Sequence, residues 1–230
     1  MIKGIQKTSL IDFPKRIACT IFLGGCNFAC GYCYNSDLVQ RPATLPSIKE
    51  DAFFEFLEKR KKYLEGVCIT GGEPTLHPGL IELCRKIKEL GYLIKLDTNG
   101  TNPKVVKELI DKRLVDYIAM DIKASPNNYR AVINSKTNMD NIKESVKLIM
   151  GTYEYEFRTT VLTNVHTKEE FKLIGEWLRG AKAYYLQQFR AMETAIDKKY
   201  SSAKSYSIEE LEEFKVILKE YIDKVELRGC

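Results

Sequence analysis

The chain predicts an α/β fold in which a parallel sheet curls into a barrel-like unit. Two observations carry this reading. Short apolar segments alternate with stretches of amphipathic helical period, an order that favours parallel strands joined by right-handed crossovers. The length, 230 residues, suits one full core of that kind. No internal repeat or low-complexity linker interrupts it, so residues 1–230 read as a single domain. Its barrel core spans about 16–190, with a C-terminal helix and short strand over about 206–228.

In chain order, 1–14 predict an N-terminal strand or hairpin ahead of the first barrel strand. Six strands are expected at Ile17–Leu23, Gly66–Thr70, Leu93–Asp97, Tyr117–Asp121, Glu156–Leu162 and Ala183–Phe189. Each is short, apolar and bounded by polar residues or glycine. Helices are expected at Ser47–Tyr63, Pro78–Leu90, Pro103–Lys112, Met139–Met150 and Lys168–Arg179. Ser47 and Glu50 have the spacing of a capping box, Gly91 marks a helix end, and Pro103 suits a first helical turn. The polar, small-residue stretch 192–205 is the candidate mobile loop. Ser207–Ile222 repeats apolar residues near helical spacing, and Val225–Leu227 reads as a short final strand.

Composition narrows the function. Hydrophobic residues make up 44% and charged residues 29%, ordinary values for a globular chain. The net charge of +5 comes from lysines interleaved with glutamates on helix faces, with no basic stripe carrying regular aromatics. Nucleic acid is therefore a weak expectation. No apolar run reaches membrane-spanning length, and the first residues lack the apolar core of a signal peptide. A cytoplasmic location is expected, where seven cysteines point to metal binding or core packing rather than disulfides.

Three of those cysteines stand out. Cys26, Cys30 and Cys33 form C-x3-C-x2-C directly after the first apolar strand. Structural zinc asks for a second pair of ligands, and nothing downstream supplies one; His77 and His166 stand alone. A zinc knuckle or a chance cluster remains the plain alternative. An iron–sulfur cluster held by three thiolates would keep one iron open, since four cysteines are the usual complement. Cys19, Cys68 and Cys84 read as small core residues. Cys230 is either a redox thiol or a simple chain end.

The other strand ends are polar as well, and in parallel barrels the C-terminal strand ends hold the active site. Gly71, Gly72 and Glu73 follow the second strand; the glycines allow close approach or unusual dihedrals, and Glu73 can accept from an ammonium group. An ordinary strand-to-helix turn is the alternative. Asp97 and Asp121 end adjacent strands. Their carboxylates can converge only with a cation between them, and N-capping of the next helices is the other use. Lys123 can supply that charge. Arg158 can clamp a carboxylate or pair on the surface. Gln187 and Phe189 suit a heteroaromatic base. Together these groups suit a zwitterionic amino acid joined to a nucleoside.

With these residues in view, the chain resembles the radical S-adenosylmethionine (SAM) superfamily. The resemblance rests on C-x3-C-x2-C with an aromatic, Tyr32, before the last cysteine, followed by G-G-E-P. Within the superfamily it is similar to the glycyl-radical-enzyme activating proteins, and in particular to those that activate anaerobic ribonucleoside-triphosphate reductase. K-T-S-L-I-D-F-P, K-L-D-T-N-G, Y-I-A-M-D-I-K, E-F-R-T-T-V, L-Q-Q-F and the terminal L-R-G extend the match over nearly the whole chain.

The resemblance implies a partial (β/α)6 TIM-like barrel. It implies a [4Fe–4S] cluster on Cys26, Cys30 and Cys33, with SAM on the fourth iron. Gly71, Gly72 and Glu73 would meet the methionyl amino group. Asp97, Thr98 and Asp121 would lie near the methionyl end, where related activating enzymes also bind a monovalent cation. Lys123 and Arg158 would reach the methionyl carboxylate, with Tyr32, Gln187 and Phe189 around the adenosine. The implied reaction is reductive cleavage of SAM to a 5′-deoxyadenosyl radical, which removes hydrogen from a glycine of a partner glycyl radical enzyme. A flavodoxin or ferredoxin would donate the electron. The alternatives are a radical enzyme acting on a small molecule, such as a deazapurine synthase or maturase, and a non-catalytic metal-binding or electron-transfer module. One departure is plain: Tyr34 follows the last cysteine where related activating enzymes carry His.

Overall fold

Parallel strands covered on both faces read as near-continuous apolar runs. The segment Ala18–Leu23, with five of its six residues buried, shows the pattern. The computed structural model describes residues 1–229, and Cys230 lies outside them. Eight strands form one sheet in chain order: β1 (Ile2–Ser9), β2 (Ala18–Leu23), β3 (Gly66–Gly71), β4 (Leu93–Thr98), β5 (Tyr117–Asp121), β6 (Tyr155–Val161), β7 (Ala183–Gln188) and β8 (Lys224–Arg228). β1 runs antiparallel to β2, and every later pairing is parallel. The sheet curls without closing, because β1 and β8 remain at its two ends. The expected six-stranded parallel core is present, extended by a hairpin strand in front and a further parallel strand behind.

The helices are α1 (Ser36–Gln40), α2 (Glu50–Arg60), α3 (Leu80–Glu89), α4 (Pro103–Asp111), α5 (Tyr129–Ile133), α6 (Met139–Met150), α7 (Lys168–Trp177) and α8 (Ile208–Leu218). The apolar stripes of the longer helices pack on the outer face of the sheet. Leu83, Cys84 and Ile87 of α3 join Cys19, Ile21 and Val67 in one core cluster. Phe171 and Ile174 of α7 join Leu211 and Phe214 of α8 in the other. Cys19, Cys68 and Cys84 are fully buried, as core residues should be.

Local signals held where no other strand competed. Pro103 opens α4 behind an Asn102 cap, and Gly91 takes φ +86 just past α3. The Ser47–Glu50 capping box does not form, and the helix begins only at Glu50. The Ile48 N–H goes to the Ile2 carbonyl at 2.9 Å, and the Ser47 hydroxyl accepts from Lys3 at 2.7 Å. Contact with β1 therefore keeps this stretch extended. The reciprocal box occurs instead at Ser207 and Glu210, at the start of α8. The candidate mobile loop, 192–205, forms a single 3₁₀ turn at Lys198–Tyr200, and Tyr200 packs edge-on against Tyr32 and Phe189.

Candidate functional site

Because seven consecutive strands, β2 to β8, are parallel, the loops that leave them open on one end of the sheet. A cavity of about 520 Å³ lies there, within the range of small-molecule sites. Cys26, Cys30, Tyr32, Cys33, Gly71, Gly72, Glu73, Asp97, Thr98, Asp121, Lys123, Arg158 and Gln187 all line it. Every site residue expected from the sequence is thus brought to one place except Phe189. That ring is buried and stacks behind Tyr34 at 12° and 6.4 Å; Tyr34 takes the lining position in its stead. The Tyr34 hydroxyl accepts the Arg190 backbone N–H at 2.8 Å.

The cysteine loop closes one turn of its own, the Cys33 N–H donating to the Cys30 carbonyl at 3.0 Å, and is otherwise held by its neighbours. The Ala29 N–H donates to the Ile133 carbonyl at 3.0 Å, and the Asp197 N–H donates to the Gly31 carbonyl at 2.9 Å. Asn99 donates to Asn27 at 2.9 Å, and Asn35 donates to the Gly71 carbonyl at 2.9 Å. Burial pushes the Cys26 thiol up to about 12 and raises Cys30 and Cys33 as well, so metal binding at neutral pH must displace protons.

The two glycines serve the backbone. Gly71 sits at φ +118, a region only glycine enters cheaply. At Gly72 a Cβ would lie 1.9 Å from the Gly25 carbonyl oxygen, because the G-G-E loop and the cysteine loop touch there. The Glu73 N–H donates to that same carbonyl at 2.8 Å. The Glu73 side chain corrects the expectation of an ammonium acceptor. Its carboxylate is fully buried and takes Thr75 N at 3.0 Å, Thr75 Oγ1 at 2.6 Å, Thr98 Oγ1 at 2.7 Å and Asn99 N at 2.6 Å. Burial pushes its pKa up, and these donors oppose the rise. Glu73 therefore ties the end of β3 to the end of β4.

Asp97 and Asp121 converge, as their strand positions suggested, and Arg158 lies between them. Its Nε meets Asp121 Oδ1 at 2.5 Å and its Nη2 meets Asp97 Oδ2 at 3.0 Å, so neither N-capping nor a surface pair is its use. Lys123 takes the second Asp121 oxygen at 2.9 Å. Lys95 takes the second Asp97 oxygen. Burial alone would raise both acids, but Arg158 together with Lys95 at Asp97, and together with Lys123 at Asp121, outweighs it, and both are held below the usual carboxylate range.

Sequence reasoning missed three participants. Lys95 is 1% exposed, and period-two alternation already placed it on the face of Asp97. Arg228 on β8 grips the buried Glu156 carboxylate in a two-pronged contact at 2.7 and 2.9 Å; only chain-end proximity to β6 reveals it. His166 accepts the Leu162 N–H at Nδ1 (2.9 Å), so its Nε2 carries the proton given to the Lys123 carbonyl at 3.0 Å. Burial pushes its pKa down to about 4, and it holds the Lys123 loop as a neutral ring.

Comparison with known proteins agrees with this geometry. Residues 20–178 match the family model described as the radical SAM superfamily. A relative from Methanocaldococcus jannaschii, provisionally named a glycyl-radical enzyme activating enzyme, is 34% identical over 99% of this chain and 95% of its own. Among solved structures, a domain of pyruvate-formate lyase-activating enzyme from Bacteroides vulgatus covers 71% of this chain and 99% of that one, at 20% identity and TM-score 0.56. Streptococcus suis SuiB bound to S-adenosylmethionine covers 92% of this chain and 52% of that one, at 14% identity and TM-score 0.70. The match spans well over half of the sequence and includes the cysteine loop and the G-G-E loop; the chain belongs to the radical SAM superfamily.

Proposed function

We propose that the chain is an activating enzyme that installs a glycyl radical on a partner enzyme, most specifically an anaerobic ribonucleotide reductase. One observation carries the glycyl-radical part of this: the full-length likeness to a relative provisionally named a glycyl-radical enzyme activating enzyme, on a chain whose three loop thiols face the same cavity as the G-G-E and Asp–Lys–Arg groups. The reductase as partner rests on the motif resemblance alone.

The residues fit a [4Fe–4S] cluster. The donor set is sulfur only. All three thiols line one cavity, and a three-thiolate set leaves one iron of a cluster open to a ligand there. The Tyr32 hydroxyl is buried on the cavity wall without a protein partner, and a buried hydroxyl calls for an acceptor such as a cluster sulfur or a bound ligand offers. Cys26, Cys30 and Cys33 would hold the cluster. With SAM and one electron from a donor such as flavodoxin or ferredoxin, it supplies a 5′-deoxyadenosyl radical and methionine.

The chain's own residues bind and orient. Lys123 and Arg158 present positive charge to the methionyl carboxylate. The Gly71–Glu73 backbone borders the amino group, with Glu73 fixing that loop against Thr98. Gln187 and Tyr34 flank the adenosine side. None of these groups has to move a proton, which agrees with two histidines used as structural links. Holding both reactants in place is the protein's contribution.

The test is anaerobic reconstitution, reduction and addition of SAM. The expected product is 5′-deoxyadenosine, and with a class III reductase a glycyl radical doublet appears by electron paramagnetic resonance. No 5′-deoxyadenosine from a fully loaded, reduced protein sinks the proposal. Cleavage without a doublet on any such partner moves the reading to a small-molecule substrate. Cys30→Ala should lose the cluster's visible absorbance and its iron.

A further inference from the structure

Each of the four carboxylate oxygens of Asp97 and Asp121 already faces a cationic nitrogen. Asp97 Oδ1 is taken by Lys95 and Oδ2 by Arg158; Asp121 Oδ1 is taken by Arg158 and Oδ2 by Lys123. All four partners are cationic nitrogens, and the five side chains are at most 27% exposed. A monovalent cation in such a site would bind through carboxylate oxygens, and here each faces a fixed ammonium or guanidinium whose like charge opposes it. The charges do not call for another cation either. Three positive groups stand against two negative ones, an excess of one positive charge in a buried setting. A buried excess charge is costly unless an ion of opposite sign completes it. The missing partner is an anion.

We infer that Lys95 is a built-in replacement for a monovalent cation: the chain binds the carboxylate end of its amino-acid ligand on the Lys95–Asp97–Arg158–Asp121–Lys123 chain and requires neither sodium nor potassium. The inference rests on the proposed use of the cavity for SAM. Lys95 is the member that makes the difference. Without it Asp97 keeps one open oxygen, the positive excess is gone, and the opening is of the kind an alkali cation fills. Lys95 acts through Asp97 and Arg158, as a positioning residue.

The experiment compares SAM binding to the cluster-loaded protein in potassium chloride and in choline chloride of equal ionic strength, by equilibrium dialysis. The wild-type dissociation constants should agree within about twofold, whereas Lys95→Gln should bind roughly tenfold more weakly in choline and recover in potassium. Lys95→Arg should keep the wild-type indifference to the salt. A wild-type affinity about tenfold tighter in potassium than in choline overturns the inference. If Lys95→Gln does not fold, the wild-type comparison still decides. Melting of the ligand-free protein in the same two salts gives an independent reading. Equal midpoints support the inference, and a potassium-specific rise overturns it. No SAM binding in either salt counts against the functional proposal instead, and the melting comparison then decides this one.

Discussion

His166 shows how one side chain can support a site without reacting in it. Its ring accepts from Leu162 and donates to the Lys123 carbonyl, so it spans the loops that follow β5 and β6. It must be neutral to do so. Its folded pKa of about 4 lies below the ordinary histidine value, so the unfolded chain binds the proton more readily. Stability is therefore full above about pH 6.5 and falls as pH drops toward 4, by roughly 3 kcal/mol in total at about 1.4 kcal/mol per unit. Urea titrations from pH 7 to 4 check this. His166→Gln keeps one acceptor and one donor and should flatten the slope in that window. Asp97 and Asp121 stay ionised across it, since their folded values lie lower still. None of this was legible in the sequence. An isolated histidine carries no local signal, and its partners are four and forty-three positions away.

Among the elements, β8 and the G-G-E loop carry the clearest consequences. Arg228 is the partner that neutralises Glu156, which is fully buried, while Tyr117 donates to it at 2.9 Å. Removing one partner of a buried pair costs about 3–5 kcal/mol. Arg228→Met should cost about 3 kcal/mol and lower the melting midpoint by roughly 6–12 °C, measured by calorimetry. Gly72→Ala places a methyl against the Gly25 carbonyl. The two loops must part, at about 1–3 kcal/mol, and iron uptake on reconstitution should fall while far-ultraviolet dichroism stays native. Strand order and strand-end motifs were legible because parallel strands deliver their ends to one side. Lys95 carries no strand-end signal, since it lies inside β4, short of the end where the polar motifs gather. The use of Glu73 inside the fold was not legible because two of its four donors, Thr98 and Asn99, come from the end of β4 and the residue after it, twenty-five and twenty-six positions away. Ser47 failed as a cap because β1 claimed its neighbour, a competition no local rule contains.

For the whole molecule, the open sheet leaves the cysteine loop at a mouth rimmed by Arg190, Met192 and Gly229. Under the proposed function that mouth admits a polypeptide loop. A partner protein carrying α-deuterated glycine should pass deuterium into 5′-deoxyadenosine, detectable by mass spectrometry; deuterium-free product in the presence of radical formation would contradict direct abstraction. The fold class was readable from alternation alone, since every strand pairs with its neighbour in sequence. The two outer strands were readable as well: β1 forms within 1–14 and β8 around Val225–Leu227, where strands were expected.

That neighbour-to-neighbour order also governs how the chain is made. A ribosome releases β1 first, and each later strand finds its partner already formed, so the sheet can grow with synthesis and with little long-range search. One exception is the hydroxyl of Tyr34. It waits for the backbone of Arg190, 156 residues downstream. The cysteine loop is thus translated early and fastened late, an interval in which iron and sulfide can be delivered before the wall behind Tyr34 is in place.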